Sequence, residues 1–169
     1  MRRFISAGAV CAMAIGLVVA PSAVGKAAPK QVSGTVSVLV SPNPVPFSTT
    51  TVTASGNVAA SSSCRKDRTV HFQYVNSLTG AVESLATTAV TRSNGDYTVS
   101  LPRPTAPTAP ATLPQTYVLQ ATVDQTERLV GSKKKGKKKK RGRQFICMQV
   151  TGQSSPVTFS AAPPPPPGP

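Results

Sequence analysis

The densest group of chemically active side chains is a run of cations between Lys133 and Arg143. Nine of its eleven residues are basic, namely Lys133, Lys134, Lys135, Lys137, Lys138, Lys139, Lys140, Arg141 and Arg143. Because like charges repel, residues 132–143 are predicted to form an extended, solvated loop between a strand ending near Val130 and another starting at Phe145. Such a loop attracts anionic wall polymers, acidic lipid headgroups or extracellular nucleic acid.

Binding by this basic loop is expected to be weak. Four or five cations engaged at once contribute roughly 4 to 5 kcal/mol, which corresponds to near-millimolar affinity. No aromatic residue interrupts the run, so neither base stacking nor sequence-specific recognition of nucleic acid is expected. A solubilising loop that binds nothing is the alternative, and the sequence leaves it open.

Side chains for catalysis are sparse. His71 is the only histidine, and its alternation with Val70 and Phe72 predicts a position on the outer face of a strand. There is no G-x-S-x-G motif, and Lys138 stands where a phosphate-binding loop needs Ser or Thr. The acids show no spacing typical of paired carboxylates; they are Asp67, Glu83, Asp96, Asp124 and Glu127. We therefore predict no enzyme and no cofactor, although a triad assembled by folding stays an alternative.

Most of the net charge lies outside the predicted folded part. The chain has 169 residues, with 19 Lys and Arg, 5 Asp and Glu and a formal charge of +14. Three basic residues, Arg2, Arg3 and Lys26, lie near the N-terminus and nine in the basic run, which leaves about +2 for the remainder. The length favours one nearly neutral domain with one basic loop.

The N-terminus has the order of a secretory signal peptide. A Met-Arg-Arg start precedes an apolar stretch from Phe4 to Ala20 and a region of small residues. Cleavage after Ala27 fits best, and cleavage two residues earlier or an uncleaved anchor are the alternatives. After signal cleavage no transmembrane span is expected, so we predict a secreted protein, extracellular or in the cell envelope.

Loss of the signal peptide removes Cys11 and leaves Cys64 and Cys147 in an oxidising compartment. A disulfide is the natural expectation, and its chain-entropy contribution would be roughly 4 to 5 kcal/mol. Two free buried thiols are the alternative. A metal site is not expected, because two distant cysteines and His71 do not form a clustered ligand set.

Alternating apolar residues dominate the mature chain and predict seven to nine short antiparallel strands. They occur around residues 36–40, 50–59, 70–74, 83–91, 97–101, 117–123, 145–150 and 157–159. Asn94-Gly95 is the strongest hairpin signal, and the prolines of 102–114 indicate a stiff surface connection. Residues 161–169 read as a Pro-rich tail outside the core.

Residues 33–160 resemble small secreted immunoglobulin-like domains of bacteria, and also the related prealbumin-like (carboxypeptidase-regulatory-like) sandwiches. The resemblance is carried by the series Cys64, Arg68, Val70, Phe72, Ser93-Asn94-Gly95-Asp96-Tyr97, Tyr117, Leu119, Ala121 and Cys147. It implies an all-β antiparallel sandwich and a non-catalytic structural or adhesive module of the cell envelope. Its partners would be another surface protein or, as the alternative function, anionic polymers bound by the basic loop.

Overall fold

The computed structural model describes residues 28–105, 113–130 and 143–161. The signal peptide expected at 1–27, the cations from Lys133 to Arg141 and the tail after residue 161 lie outside the described residues. In the described part the chain forms strands and turns without helices. The all-β prediction is confirmed.

Twelve strands follow one another along the chain, several of them only two to five residues long. They are β1 Lys30–Val32, β2 Thr35–Val36, β3 Leu39–Ser41, β4 Thr51–Ala59, β5 Thr69–Asn76, β6 Val82–Val90, β7 Asp96–Pro102, β8 Gln115–Val123, β9 Thr126–Val130, β10 Arg143–Cys147, β11 Val150–Gln153 and β12 Val157–Phe159. The count exceeds the predicted seven to nine because the runs at 36–40 and 145–150 are each divided into two strands, and because β1 and β9 lie outside the eight predicted runs.

The strands form three sheets. In the first, β4 pairs with β7 along one edge and with β2 and β3 in succession along the other. The second has the order β11-β8-β5-β6, with β12 also on β8. The third and smallest has the order β1-β10-β9, in which β1 runs parallel to β10 and β10 runs antiparallel to β9.

The core lies between the first two sheets and follows from the alternation in the sequence. In β4, Val52, Ala54 and Val58 are buried while Thr51 and Thr53, on either side of Val52, are exposed. β8 alternates in the same way, and buried residues of both sheets belong to one apolar cluster. One face of each sheet therefore packs against the other, as period-two patterning requires.

One aromatic contact joins the two sheets, and a cluster of three rings lies within the second sheet. Phe72 of β5 and Tyr97 of β7 lie with their ring centroids 5.8 Å apart. Tyr74 makes an edge-to-face contact with Tyr117 at 5.9 Å, and Phe159 lies within 5.8 Å of both. These geometries favour the ring quadrupoles, so the few aromatic residues of the chain are concentrated where they stabilise the core.

The expected hairpin at Asn94-Gly95 is wrong. Gly95 has φ of +95° and forms a tight turn, but β6 before it pairs with β5 whereas β7 after it pairs with β4. The carbonyl of Gly95 accepts from the backbone N–H of Val58 in β4, which draws the turn to the first sheet. The segment is a connection between two sheets.

Candidate functional site

Two long paired segments flank the predicted basic loop in the sequence. β8 continues into β9 and β10 continues into β11, and the two halves pair from Gln120–Gln153 to Val130–Arg143. Strand β9 ends at Val130 as predicted, but β10 begins at Arg143 and not at Phe145, so the prediction that Arg143 belongs to the loop is wrong. Of the nine predicted cations, only Arg143 belongs to the described part.

Arg143 is the first residue of β10 and is exposed. Its guanidinium carbon lies 5.8 Å from the centroid of the Phe145 ring, within the range of a cation–π contact. On the neighbouring strand β1, Lys30 is directly opposite Phe145 and is exposed. Sequence reasoning did not include Lys30 in the candidate site, because the parallel pairing of β1 with β10 has no local signal.

The inner part of the hairpin is fixed to the loop between β4 and β5. Arg128 of β9 donates through Nη2 to the carbonyl oxygens of Lys66 and Asp67, and its Nη1 lies 3.8 Å from an oxygen of the Asp67 carboxylate. A disulfide joins Cys64 in this loop to Cys147 at the end of β10. The predicted pairing is confirmed, and both cysteines are fully buried.

Arg68 is a functional part of this scaffold that sequence reasoning did not identify, beyond its place in the resemblance. It is 1% exposed, and its Nη1 donates to the carbonyl of Cys64 at 2.8 Å. Its Nη2 donates to the carbonyls of Asp124 and Met148. Burial lowers the pKa of Arg68, nearby Arg128 lowers it further, and Asp124 raises it. Because the guanidinium donates to three backbone carbonyls, it stabilises the fold rather than binding an external anion.

His71 lies on the outer face of β5, as predicted. Its Nε2 is 2.8 Å from a carboxylate oxygen of Asp124, and both side chains are about half exposed. They line an open groove of about 320 Å³ together with Ser84. Within the described residues no hydrogen bond links Ser84 to His71, so the groove holds a histidine–acid pair without a bonded nucleophile. Sequence spacing alone did not predict this pair.

No group of three potential metal ligands occurs within residues 28–105, 113–130 and 143–161. The same ranges contain no helix with the length and apolar character that crossing a membrane would require.

Comparison with known proteins identifies no relative. No protein-family model matches the chain, and no curated protein and no solved structure is significantly similar to it. Any functional conclusion therefore rests on the residues and their geometry.

Proposed function

We propose that the chain is an exported, non-catalytic structural or adhesive module of the bacterial cell envelope, with an immunoglobulin-like sandwich formed by residues 33–160. In this proposal residues 1–27 are the export signal and 161–169 a Pro-rich extension. The strand order supports it: β4 and β7 form one layer with the N-terminal strands, and β6, β5, β8 and β11 form the other. Two such layers around one core are the architecture of immunoglobulin-like domains.

One observation carries the proposal of a non-catalytic scaffold. The disulfide, Arg68 and Arg128 all fix the inner part of the β8–β11 hairpin to the β4–β5 loop. These contacts use backbone carbonyls and a buried crosslink, the usual means of stabilising a small extracellular domain. In contrast, the side chains around the groove make no bonded series of acid, base and nucleophile in the described part.

An envelope pull-down tests the adhesive role. Mature protein carrying its disulfide is immobilised and exposed to envelope extract at physiological salt, beside a variant in which 132–142 is replaced by Asn-Gly. Because Val130 and Arg143 are directly paired, the short turn leaves the hairpin intact. Retention of the same surface component by both proteins supports an adhesive sandwich. If neither retains any component, the adhesive role is wrong.

A second candidate function, binding of anionic polymers through the basic loop, is favoured by the Val130–Arg143 pairing. Eight of the nine cations lie between these two paired residues in the sequence. Soluble polyphosphate is the probe, measured at increasing salt. The control keeps the loop length but replaces the nine basic residues by Ser and Asn. Loss of binding in the control, and weakening with salt in the native protein, would support the function.

A further inference from the structure

The end of the β9–β10 hairpin exposes apolar side chains on both faces. Leu129 is 77% exposed and Val130 is 44% exposed. Adjacent strand residues point to opposite faces, so a strand that packs on a core exposes only one of such a pair. β8, which leads into β9, follows that rule: every second residue from Tyr117 to Val123 is buried. The hairpin therefore extends beyond the core at Leu129 and Val130.

Further apolar residues lie next to this exposed pair. Val130 is opposite Arg143 on β10, and Phe145 is two residues further along the same face. Leu129 is opposite Gln144, with Ile146 two residues further on the other face. Phe145 and Ile146 are half-buried. Each face of the hairpin end thus has one exposed apolar residue with a half-buried one diagonally beside it, within reach for contact.

Cations surround the same positions. Arg143 is exposed and stacks on Phe145, and exposed Lys30 is opposite Phe145 on β1. Glu127, the only acid of β9, lies further from the hairpin end and accepts a hydrogen bond from Gln144 at 3.2 Å. Beyond Val130 the sequence contains no acid before Arg143. The exposed apolar pair therefore lies in a region of positive charge.

We propose that the hairpin end docks on an anionic lipid bilayer, with Leu129 and Val130 entering the interface and Lys30 and Arg143 contacting headgroups. The inference rests on the second candidate function, since it specifies which anionic partner the protein would bind. A soluble polyanion is complementary to the cations alone and leaves the two apolar side chains in water. A bilayer interface is complementary to both, and apolar burial adds to the attraction of basic residues.

Vesicle binding by two matched variants tests the proposal. The first carries Leu129→Ser with Val130→Thr, which removes apolar groups from exposed positions and keeps a β-branched residue in the strand. The second carries Leu78→Ser, because Leu78 is 94% exposed in the turn between β5 and β6. All proteins are the full mature chain with its disulfide, and circular dichroism checks their folds. The probes are vesicles of equal parts phosphatidylglycerol and phosphatidylcholine, vesicles of phosphatidylcholine alone, and soluble polyphosphate.

The native protein and the Leu78→Ser variant are expected to bind the anionic vesicles equally. The hairpin variant should bind them about tenfold more weakly, because it loses apolar burial. All three should bind polyphosphate alike. Equal vesicle affinity for the hairpin variant and the native protein would overturn the membrane inference and leave polyanion binding standing. If polyphosphate and vesicles both fail to bind the native protein at low salt, the candidate function is itself wrong.

A fluorescence measurement reports insertion directly. The chain contains no Trp, so a Leu129→Trp variant has a single indole at the hairpin end. Its emission should shift to the blue on anionic vesicles, whereas a matched Leu78→Trp variant should not shift. An unshifted spectrum for Leu129→Trp on vesicles that bind the protein would also contradict the proposal.

Discussion

Arg68 donates through Nη2 to the carbonyl oxygen of Met148, 3.1 Å away, where the hairpin is interrupted. Pairing stops after Val123–Val150 and resumes at Thr126–Cys147, which leaves two residues unpaired on each strand. The same Arg68 nitrogen also donates to the carbonyl of Asp124 on the opposite strand. One buried guanidinium therefore donates hydrogen bonds to a carbonyl of each strand, at the position where the two strands no longer pair with each other.

Replacing Arg68 with Met should lower the free energy of unfolding by roughly 3 to 5 kcal/mol. Met fills similar apolar volume, but one buried and two partly buried carbonyls lose a donor, and each unsatisfied buried group costs about 1 to 3 kcal/mol. Urea unfolding of the oxidised protein measures the change. Arg92→Met is the control, because Arg92 is exposed and should change stability little. A change for Arg68→Met no larger than for the control would contradict the role given to Arg68.

The Cys64–Cys147 disulfide should contribute about 4 to 5 kcal/mol, because it removes chain entropy from the unfolded state over a separation of 83 residues. The variant with both cysteines changed to Ala should lose this amount in urea unfolding. Reducing agent should destabilise the native protein similarly and leave the variant unchanged. Equal stability of oxidised and reduced native protein would show that the crosslink does not restrict the unfolded chain.

Stability should fall at alkaline pH because of buried tyrosines. Burial raises the pKa of Tyr97 to about 12, while a tyrosine in the unfolded chain titrates near 10. Neutral Tyr97 stabilises the fold fully when the pH is below the pKa of the unfolded state. This stabilisation is lost as the pH rises to the pKa of the folded state, between about 10 and 12. Burial, then nearby Glu83, also raises the pKa of Tyr74.

Urea unfolding across that pH range measures the effect, and tyrosinate absorbance follows ionisation. In Tyr97→Phe the slope of stability against pH should be smaller than in the native protein. The control Tyr117→Phe keeps Tyr74 and Tyr97 and should retain most of the slope. A slope for Tyr97→Phe identical to the native one would exclude Tyr97 as its source.

Gly56→Ala should destabilise the first sheet by about 1 to 3 kcal/mol, the typical cost of overpacking. A Cβ at position 56 would lie 1.9 Å from the carbonyl oxygen of Ser37 and 2.5 Å from the Tyr97 hydroxyl. That hydroxyl donates to the same Ser37 carbonyl at 2.7 Å, so neither group can move freely. Thermal unfolding compares the variant with Ser55→Ala, an adjacent strand position. A melting temperature unchanged relative to that control would show that the contact relaxes without cost.

Local patterns were sufficient for much of the fold. The alternation in β4 and β8 predicted which residues are buried, because each pattern is set by one strand with one apolar face. Counting the cysteines left after the export signal predicted the Cys64–Cys147 pair. The end of β9 near Val130 was predicted from charge, but repulsion between the cations does not keep Arg143 out of β10.

Features that depend on distant partners were not predictable. Asn94-Gly95 fixes a turn but does not determine which sheet bonds each flanking strand, so a connection between sheets was interpreted as a hairpin. Arg68 precedes a strand and is basic, which normally indicates exposure. Two of its three acceptors, the carbonyls of Asp124 and Met148, lie 56 and 80 residues away in sequence. His71 and Asp124, 53 residues apart, meet only through the pairing of β5 with β8.

The disulfide also determines how the domain would carry mechanical load. A pull between the two ends of the chain passes directly across the Cys64–Cys147 bond, so the 83-residue separation stays closed even when every strand has unfolded. That segment would otherwise extend to about 280 Å. Only the chain outside the bond can lengthen under tension, and it contains β1 to β4 on one side and β11 and β12 on the other. The oxidised domain would therefore lengthen under load by far less than the reduced one.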